Sequence, residues 1–178
     1  ASRILTISTG AKVTLTGMTL RNGRFVATGT PGTGGAILLT NSTLNLTDMI
    51  VRDNSVSSVP APPPAPQVGP QGSGGAIYAT NSTITLTNST ILDNVVPGWP
   101  NQGTAGGIDG TGTTNITITG GVISGNEEGA IYMGHKVTVM GSLIHDNPVS
   151  NLVTAGGVSG NHVSVSNSVL SGNRWGVA

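Results

Sequence analysis

Two segments of the chain, 40 residues apart, are almost the same sequence. Gly34 to Asn54 reads GGAILLTNSTLNLTDMIVRDN, and Gly74 to Asn94 reads GGAIYATNSTITLTNSTILDN. Similar but more divergent copies cover Val13–Gly23, Gly106–Asn126, Gly129–Asn147 and Gly156–Asn173. Self-similarity at so short a period indicates a repeat fold, in which each unit buries its apolar face against the next unit.

Within each copy, apolar and polar residues alternate with the period of a β-strand. The alternation predicts paired inward positions at Val13/Leu15, Leu44/Leu46, Ile84/Leu86, Ile116/Ile118, Val137/Val139 and Val163/Val165. A second short strand contributes one further inward position per copy, at Leu20, Val51, Ile91, Ile123, Ile144 and Leu170. Units of this kind stack through their apolar columns rather than folding alone.

The shortest spacing between copies, Gly107 to Gly129, sets one unit at 22 residues, which leaves no room for a helix between strands. We therefore predict an all-β right-handed parallel β-helix of about six coils, with residues 1–178 as a single domain. The extra residues at about 55–73, which are Pro-rich, and at about 95–105, which contain Trp99, are predicted to be lateral loops. The first of these is predicted to be extended and solvated.

Each copy ends in Asn, which predicts a structural column along the helix. Asn tolerates left-handed backbone angles, and stacked Asn side chains can hydrogen-bond from one coil to the next. We predict such a turn ladder at Asn54, Asn94, Asn126, Asn147 and Asn173.

Composition excludes several classes of protein. Charged residues are 8% of the chain, with seven basic and seven acidic, so neither a nucleic-acid footprint nor a polybasic membrane patch is expected. Membrane insertion is not expected either, because no apolar stretch approaches a transmembrane length. The chain has no Cys, which rules out disulfides and thiolate metal sites. Its 28 Gly residues, among abundant Thr, Ser, Asn and Val, argue against a helical bundle.

The GGAI motif at Gly34–Ile37 and Gly74–Ile77, with an aliphatic residue three positions before the final Asn, resembles the polymorphic outer membrane protein repeat. That repeat pairs GGAI with FxxN, whereas the Phe is aliphatic here. More broadly the chain resembles the pectin-lyase-like right-handed β-helix superfamily over nearly its whole length. The resemblance implies an extracellular passenger of a surface protein with a structural or adhesive role.

The superfamily also contains enzymes that cleave polysaccharides, and such enzymes depend on carboxylates. Asp53 and Asp93 are expected on adjacent coils beside Arg52, as weak candidates for a metal or catalytic pair, with polar turn residues as the alternative. Asp109 is expected at a solvent-facing bend, and Glu127 and Glu128 as surface charge. His135, His145 and His162 fall on different parts of the repeat, and His145 and Asp146 are expected to point apart. We predict no catalytic residue, metal or cofactor.

The expected function is therefore an extracellular structural or adhesive module whose partners are other copies, stacked end to end as a filament, the rest of a longer passenger, or surface glycans. Carbohydrate binding or cleavage is the alternative, and ice binding through the outward Thr residues is a third hypothesis. The candidate end contacts are Ile4, Leu5, Val169, Leu170 and Trp175.

Overall fold

The computed structural model describes residues 2–59, 72–96, 103–150 and 156–174, and their regular structure is entirely β. Candidate residues Trp99 and Trp175 lie outside these ranges. The strands are β1 (Leu5–Ile7), β2 (Lys12–Thr16), β3 (Thr19–Arg21), β4 (Arg24–Thr28), β5 (Gly32–Thr33), β6 (Ile37–Thr40), β7 (Thr43–Thr47), β8 (Ile50–Arg52), β9 (Ser55–Val59), β10 (Gly72–Ser73), β11 (Ile77–Thr80), β12 (Thr83–Thr87), β13 (Thr90–Leu92), β14 (Gly103–Thr104), β15 (Ile108–Thr111), β16 (Asn115–Thr119), β17 (Val122–Ser124), β18 (Ile131–Met140), β19 (Leu143–His145), β20 (Val158–Ser166) and β21 (Val169–Ser171).

Three faces of parallel strands run along the molecule. The first face contains β1, β6, β11 and β15, and the second contains β2, β7, β12 and β16. The two faces join in one 10-stranded sheet because the long strands β18 and β20 continue from one face to the other. The third face is a six-stranded sheet of β3, β8, β13, β17, β19 and β21. The chain thus winds as a parallel β-helix, which confirms the predicted fold class.

The core contains the predicted inward columns and, on the first face, an aligned column of Ile37, Ile77, Ile108 and Ile131 that was not predicted. On the second face, strand pairing aligns Leu44, Ile84, Ile116 and Val137, each at most 1% exposed. On the third face it aligns Val51, Ile91, Ile123 and Ile144, all fully buried. Aliphatic side chains therefore stack on like side chains from rung to rung, which removes nearly all of their apolar surface from water.

The lateral segments form an additional layer, here called the wing, made of β4, β5, β9, β10 and β14. Strand β4 pairs with β9, and β10 pairs with both β5 and β14, always in parallel. Val56 in β9 is fully buried, so the prediction that the whole Pro-rich insert is solvated is wrong at its two ends. Residues 60–71 and 97–102 of the two inserts lie outside the described residues.

The Gly pair of GGAI has two separate roles. Gly74 adopts a left-handed angle (φ 65°), and a Cβ on Gly75 would lie 2.5 Å from the carbonyl oxygen of Gly106 in the next coil. In the following copy Ala105 takes the left-handed position, and Ile108 pairs with Ile77. The GGID copy is therefore shifted by one residue relative to GGAI, and a one-residue shift moves a side chain to the other face of its strand.

Candidate functional site

Most corners between faces place one residue in the left-handed region of the backbone, and the exceptions are the first corners that β18 and β20 cross as continuous strands. The three columns of such residues are Gly10, Asn41, Asn81 and Gly112, then Gly17, Asp48, Asn88, Gly120, Gly141 and Asn167, and finally Asn22, Asp53, Asp93, Gly125, Asp146 and Gly172. Only Gly, Asn and Asp occupy these positions, since they tolerate this conformation best. The bends of the coil are thus encoded residue by residue in the sequence.

The predicted Asn column is present, but the left-handed angle belongs to the residue before each Asn. Asn54, Asn94, Asn126 and Asn147 are fully buried behind this corner, and Asn173 is half-buried. From Asn94 onward, each Oδ1 accepts from the backbone N–H and the Nδ2 of the Asn one coil earlier, at 2.8–3.2 Å. The Oδ1 of Asn54 accepts from the backbone N–H of Gly23 at 2.8 Å. The Nδ2 groups also donate to backbone carbonyls, such as Val51 from Asn94 at 3.1 Å. The column is a continuous hydrogen-bonded ladder through the interior.

Similar but shorter ladders at the other two corners were not anticipated. The backbone N–H of Ser42 donates to the Oγ of Ser82 at 3.2 Å, and that of Ser82 donates to the Oγ1 of Thr114 at 3.3 Å. At the second corner, the N–H of Gly121 donates to Ser142 at 3.1 Å. The N-S-T pattern at 41–43, 81–83 and 88–90 was the available signal, because the Ser follows the left-handed Asn directly.

The two weak metal or catalytic candidates, Asp53 and Asp93, occupy neighbouring left-handed positions at the third corner (φ 54° and 52°). Both are exposed, and Asp53 faces Arg52 with Nη1 and Oδ2 3.4 Å apart. Asn and Gly take the same position in other coils, which favours a turn role. Within the described ranges, His, Asp and Glu side chains nowhere form a group of three that could hold a metal ion.

A polar groove runs along the first corner. It has a volume of about 410 Å³ and crosses four coils, with Lys12, Asn41, Thr43, Asn81, Thr83, Thr113 and Asn115 among its lining residues. The Oδ1 of Asn81 accepts from the backbone N–H of Thr113 at 3.1 Å, which holds that amide in place. The groove therefore presents amides, hydroxyls and one ammonium group at the spacing of the rungs.

Asp109 is buried, contrary to the prediction that it faces solvent. It is 2% exposed in β15, and strand pairing places it between Tyr78 and Tyr132 on the outer side of the first face. Its Oδ2 accepts a hydrogen bond from the hydroxyl of Thr104 in the wing, whereas its Oδ1 has no hydrogen-bond partner within the described chain. Burial raises the pKa of Asp109 to about 6, despite hydrogen bonds from Thr104 and Ser73 that act in the opposite direction.

Two further expectations about charged residues are wrong. Glu128 is 5% exposed, adopts a left-handed angle (φ 61°), and accepts hydrogen bonds from the backbone N–H and hydroxyl of Ser150. Burial, and secondarily the charge of Glu128, raise the pKa of Glu127. His145 and Asp146 do not point apart: Nδ1 and Oδ2 are 2.8 Å apart, because the left-handed angle at Asp146 turns its side chain back.

The histidines are distributed in a way that the repeat pattern did not reveal. His145 lies on the third face, whereas His135 and His162 are neighbours on adjacent coils with ring centroids 5.8 Å apart. The register between β18 and β20 shifts between Met133 and Lys136, so His135 leaves the regular alternation of its strand. A bulge of this kind has no clear sequence signal.

The outward residues of the second face form two columns in register. One column is Thr14, Asn45, Thr85, Thr117, Thr138 and Ser164, and the other is Thr16, Thr47, Thr87, Thr119, Met140 and Ser166. Hydroxyl and methyl groups are thus presented at regular spacing, as the ice-binding hypothesis requires, and Asn45 and Met140 interrupt the array.

The candidate end contacts differ in their exposure and in the side of the strand on which they lie. Leu5 and Leu170 occupy inward positions and are half-buried, and Ile4 is 38% exposed. Val169 is 58% exposed but pairs with Leu143 in an outward column, so it faces away from the core. The better end residues are Val163 and Val165, which continue the inward columns of Val137 and Val139.

Comparison with known protein families supports the fold. A family model described as a right handed beta helix region matches residues 35–178. Neither the curated proteins nor the solved structures provide a match. Among the described residues, no helix is long and apolar enough to cross a membrane.

Proposed function

Because the chain belongs to the right-handed β-helix family, we propose that it is an extracellular structural or adhesive module that extends axially by stacking on another copy of itself. The observation that carries this proposal is the exposure of inward apolar residues in the first and last described rungs. Val165 and Leu170 continue buried columns, yet Val165 is 36% exposed. At the other end, Val13 and Leu15 are only half-buried.

The two terminal rungs are complementary to each other. The outer edges of β2 and β20 have no partner among the described strands, and both rungs continue the same columns. Val163 and Val165 at one end would meet Val13 and Leu15 at the other, with backbone hydrogen bonds between the strand edges. A head-to-tail contact of this type does not close, so it generates filaments. The GGAI repeats, which resemble those of polymorphic outer membrane proteins, support an extracellular surface location.

Replacing Val165 with Lys is expected to abolish axial assembly. An ammonium group at an inward position of the terminal rung opposes desolvation, while its exposure lets the side chain reach water without unfolding the coil. Sedimentation velocity and electron microscopy over a concentration series provide the measurement. We expect the wild-type protein to form rods that lengthen with concentration and V165K to remain monomeric.

The control is Ser164→Lys, which adds the same charge to the same strand but on the outward face. Assembly of S164K should match the wild type. A wild-type protein that stays monomeric at the highest attainable concentration, or V165K and S164K variants that behave alike, would contradict axial stacking.

Carbohydrate binding is a second candidate function, favoured by the polar groove at the first corner. Its amide and hydroxyl groups recur on successive rungs, as do the hydroxyls of an extended polysaccharide. Thr43→Val removes one groove hydroxyl while keeping the shape and the strand preference of the side chain. We expect it to weaken binding to a polysaccharide array about fivefold, in line with the loss of one hydrogen bond. Thr90→Val, on the third face, is the matched control, and equal binding by both variants would exclude the groove.

A further inference from the structure

The bulge in β18 is held on both sides by polar contacts. On one side, the Nδ1 of His135 lies 2.9 Å from the Oδ1 of Asn115 in the preceding coil. On the other, the Nδ2 of Asn161 in the following coil donates to the carbonyl of Gly134 at 2.7 Å. The bulge thus fixes His135 in a position that regular strand alternation would not provide.

The contact with Asn115 also defines the tautomer of His135. The Nδ2 of Asn115 donates to the carbonyl oxygen of Thr113 at 3.1 Å, which sets the orientation of the amide and leaves its Oδ1 toward the imidazole. Since that oxygen can only accept, Nδ1 of His135 must carry the proton. In the neutral ring, Nε2 then carries a lone pair. An imidazole held by a hydrogen bond at its other nitrogen is the usual arrangement of a metal-ligating histidine.

His162 supplies a second imidazole beside the first. It is exposed in β20, and its ring lies edge-on to that of His135, at an angle of 79° with centroids 5.8 Å apart. Two imidazoles that bind one zinc ion tetrahedrally, at about 2.0–2.1 Å, have centroids about 5 Å apart. The observed centroid distance is within about 1 Å of that value, and a rotamer change of the exposed His162 ring turns its nitrogen toward a shared ion.

We propose that His135 and His162 form a two-histidine site for a late first-row divalent metal ion such as Zn²⁺ or Cu²⁺. Imidazole nitrogens select these ions over Mg²⁺ and Ca²⁺, and water fills the remaining coordination positions. Lys136 pairs in register with His162, and its charge opposes cation binding, so the site is of moderate affinity. A bound ion links β18 to β20 and thereby fastens the last described rung to the helix.

The test is a calorimetric titration with ZnCl₂ of a protein in which His145→Gln has removed the exposed His145–Asp146 pair, a competing metal ligand. We expect one Zn²⁺ per chain in this background. Adding His135→Gln or His162→Gln should raise the dissociation constant at least tenfold. Asn115→Ala should raise it about tenfold as well, because the free imidazole loses its orienting acceptor.

Hydrogen exchange gives a second readout in the same protein. Zn²⁺ should slow amide exchange in β20 and leave β12, which lies three rungs away, unchanged. Circular dichroism verifies that each variant is folded. Zinc affinity that is unaffected by both histidine substitutions, or protection of β20 that persists in the H162Q variant, would overturn the proposal.

Discussion

Asn94→Ala is expected to lower the free energy of unfolding by ~3–5 kcal/mol, although it removes only one small polar side chain. Asn94 is fully buried in the middle of the Asn ladder. Its Oδ1 accepts from the N–H and Nδ2 of Asn54 at 3.1 and 3.0 Å, and its Nδ2 donates to the carbonyl of Val51 and to Asn126 at 3.1 and 2.9 Å.

The effect is large because alanine leaves the partners of Asn94 without replacements. Two donors of Asn54 and the carbonyl of Val51 become buried and unsatisfied, each at a cost of about 1–3 kcal/mol. Urea unfolding followed by circular dichroism measures the change. Asn173→Ala, at the half-buried end of the same ladder, is the control, since water can enter the space that its solvent-accessible amide leaves, and should cost about 1 kcal/mol or less. Equal losses at the two positions would show that the ladder adds nothing beyond local turn formation.

Asp109→Asn is expected to stabilise the protein above pH 6. The pKa of Asp109 is raised from 3.8 to about 6 in the fold, so ionisation is harder in the folded than in the unfolded chain. A raised carboxyl pKa means that the folded state binds its proton more tightly. Wild-type stability therefore falls as pH rises from about 4 to about 6, by ~3 kcal/mol from this group, and stays low above that range.

The structure accounts for the direction of this effect. Asp109 is covered by the wing, its Oδ1 has no donor within the described residues, and neither of the ion pairs in these residues, Arg52–Asp53 and His145–Asp146, involves it. Asn keeps the shape of the side chain but has no charge to desolvate, and we expect a gain of ~1–3 kcal/mol at pH 8.

Thermal melts of wild type and D109N at pH 4.5, 6 and 8 provide the measurement. The two proteins should be similar at pH 4.5 and should diverge as pH rises. Part of the wild-type slope should persist in the variant, because the pKa of Glu127 is raised as well. Asp53→Asn, at an exposed corner, should retain the wild-type profile. Parallel pH profiles for D109N and wild type would show that Asp109 does not titrate in this range.

The repeat pattern predicted the fold and the core columns of the second and third faces. Strand alternation identified the inward columns, such as Leu44–Ile84–Ile116, because one face of every strand must be buried and the period of side chains along a strand is fixed. The Asn ladder followed from the same reasoning, since a residue repeated at one position of every coil is stacked on itself. These features depend only on contacts between adjacent coils, so the repeated residues of the sequence indicate them directly.

Tertiary structure decided the features that depend on exceptions to the repeat. Asp109 is buried because a one-residue shift after Ala105 places it on the outer face, and because the wing strand β14 then covers it. His135 meets Asn115 and His162 only because a bulge interrupts β18. Similarity between the copies identifies the structural positions that every coil shares. Groups that one coil alone possesses are positioned by packing against other segments, and that packing depends on contacts between residues distant in the chain.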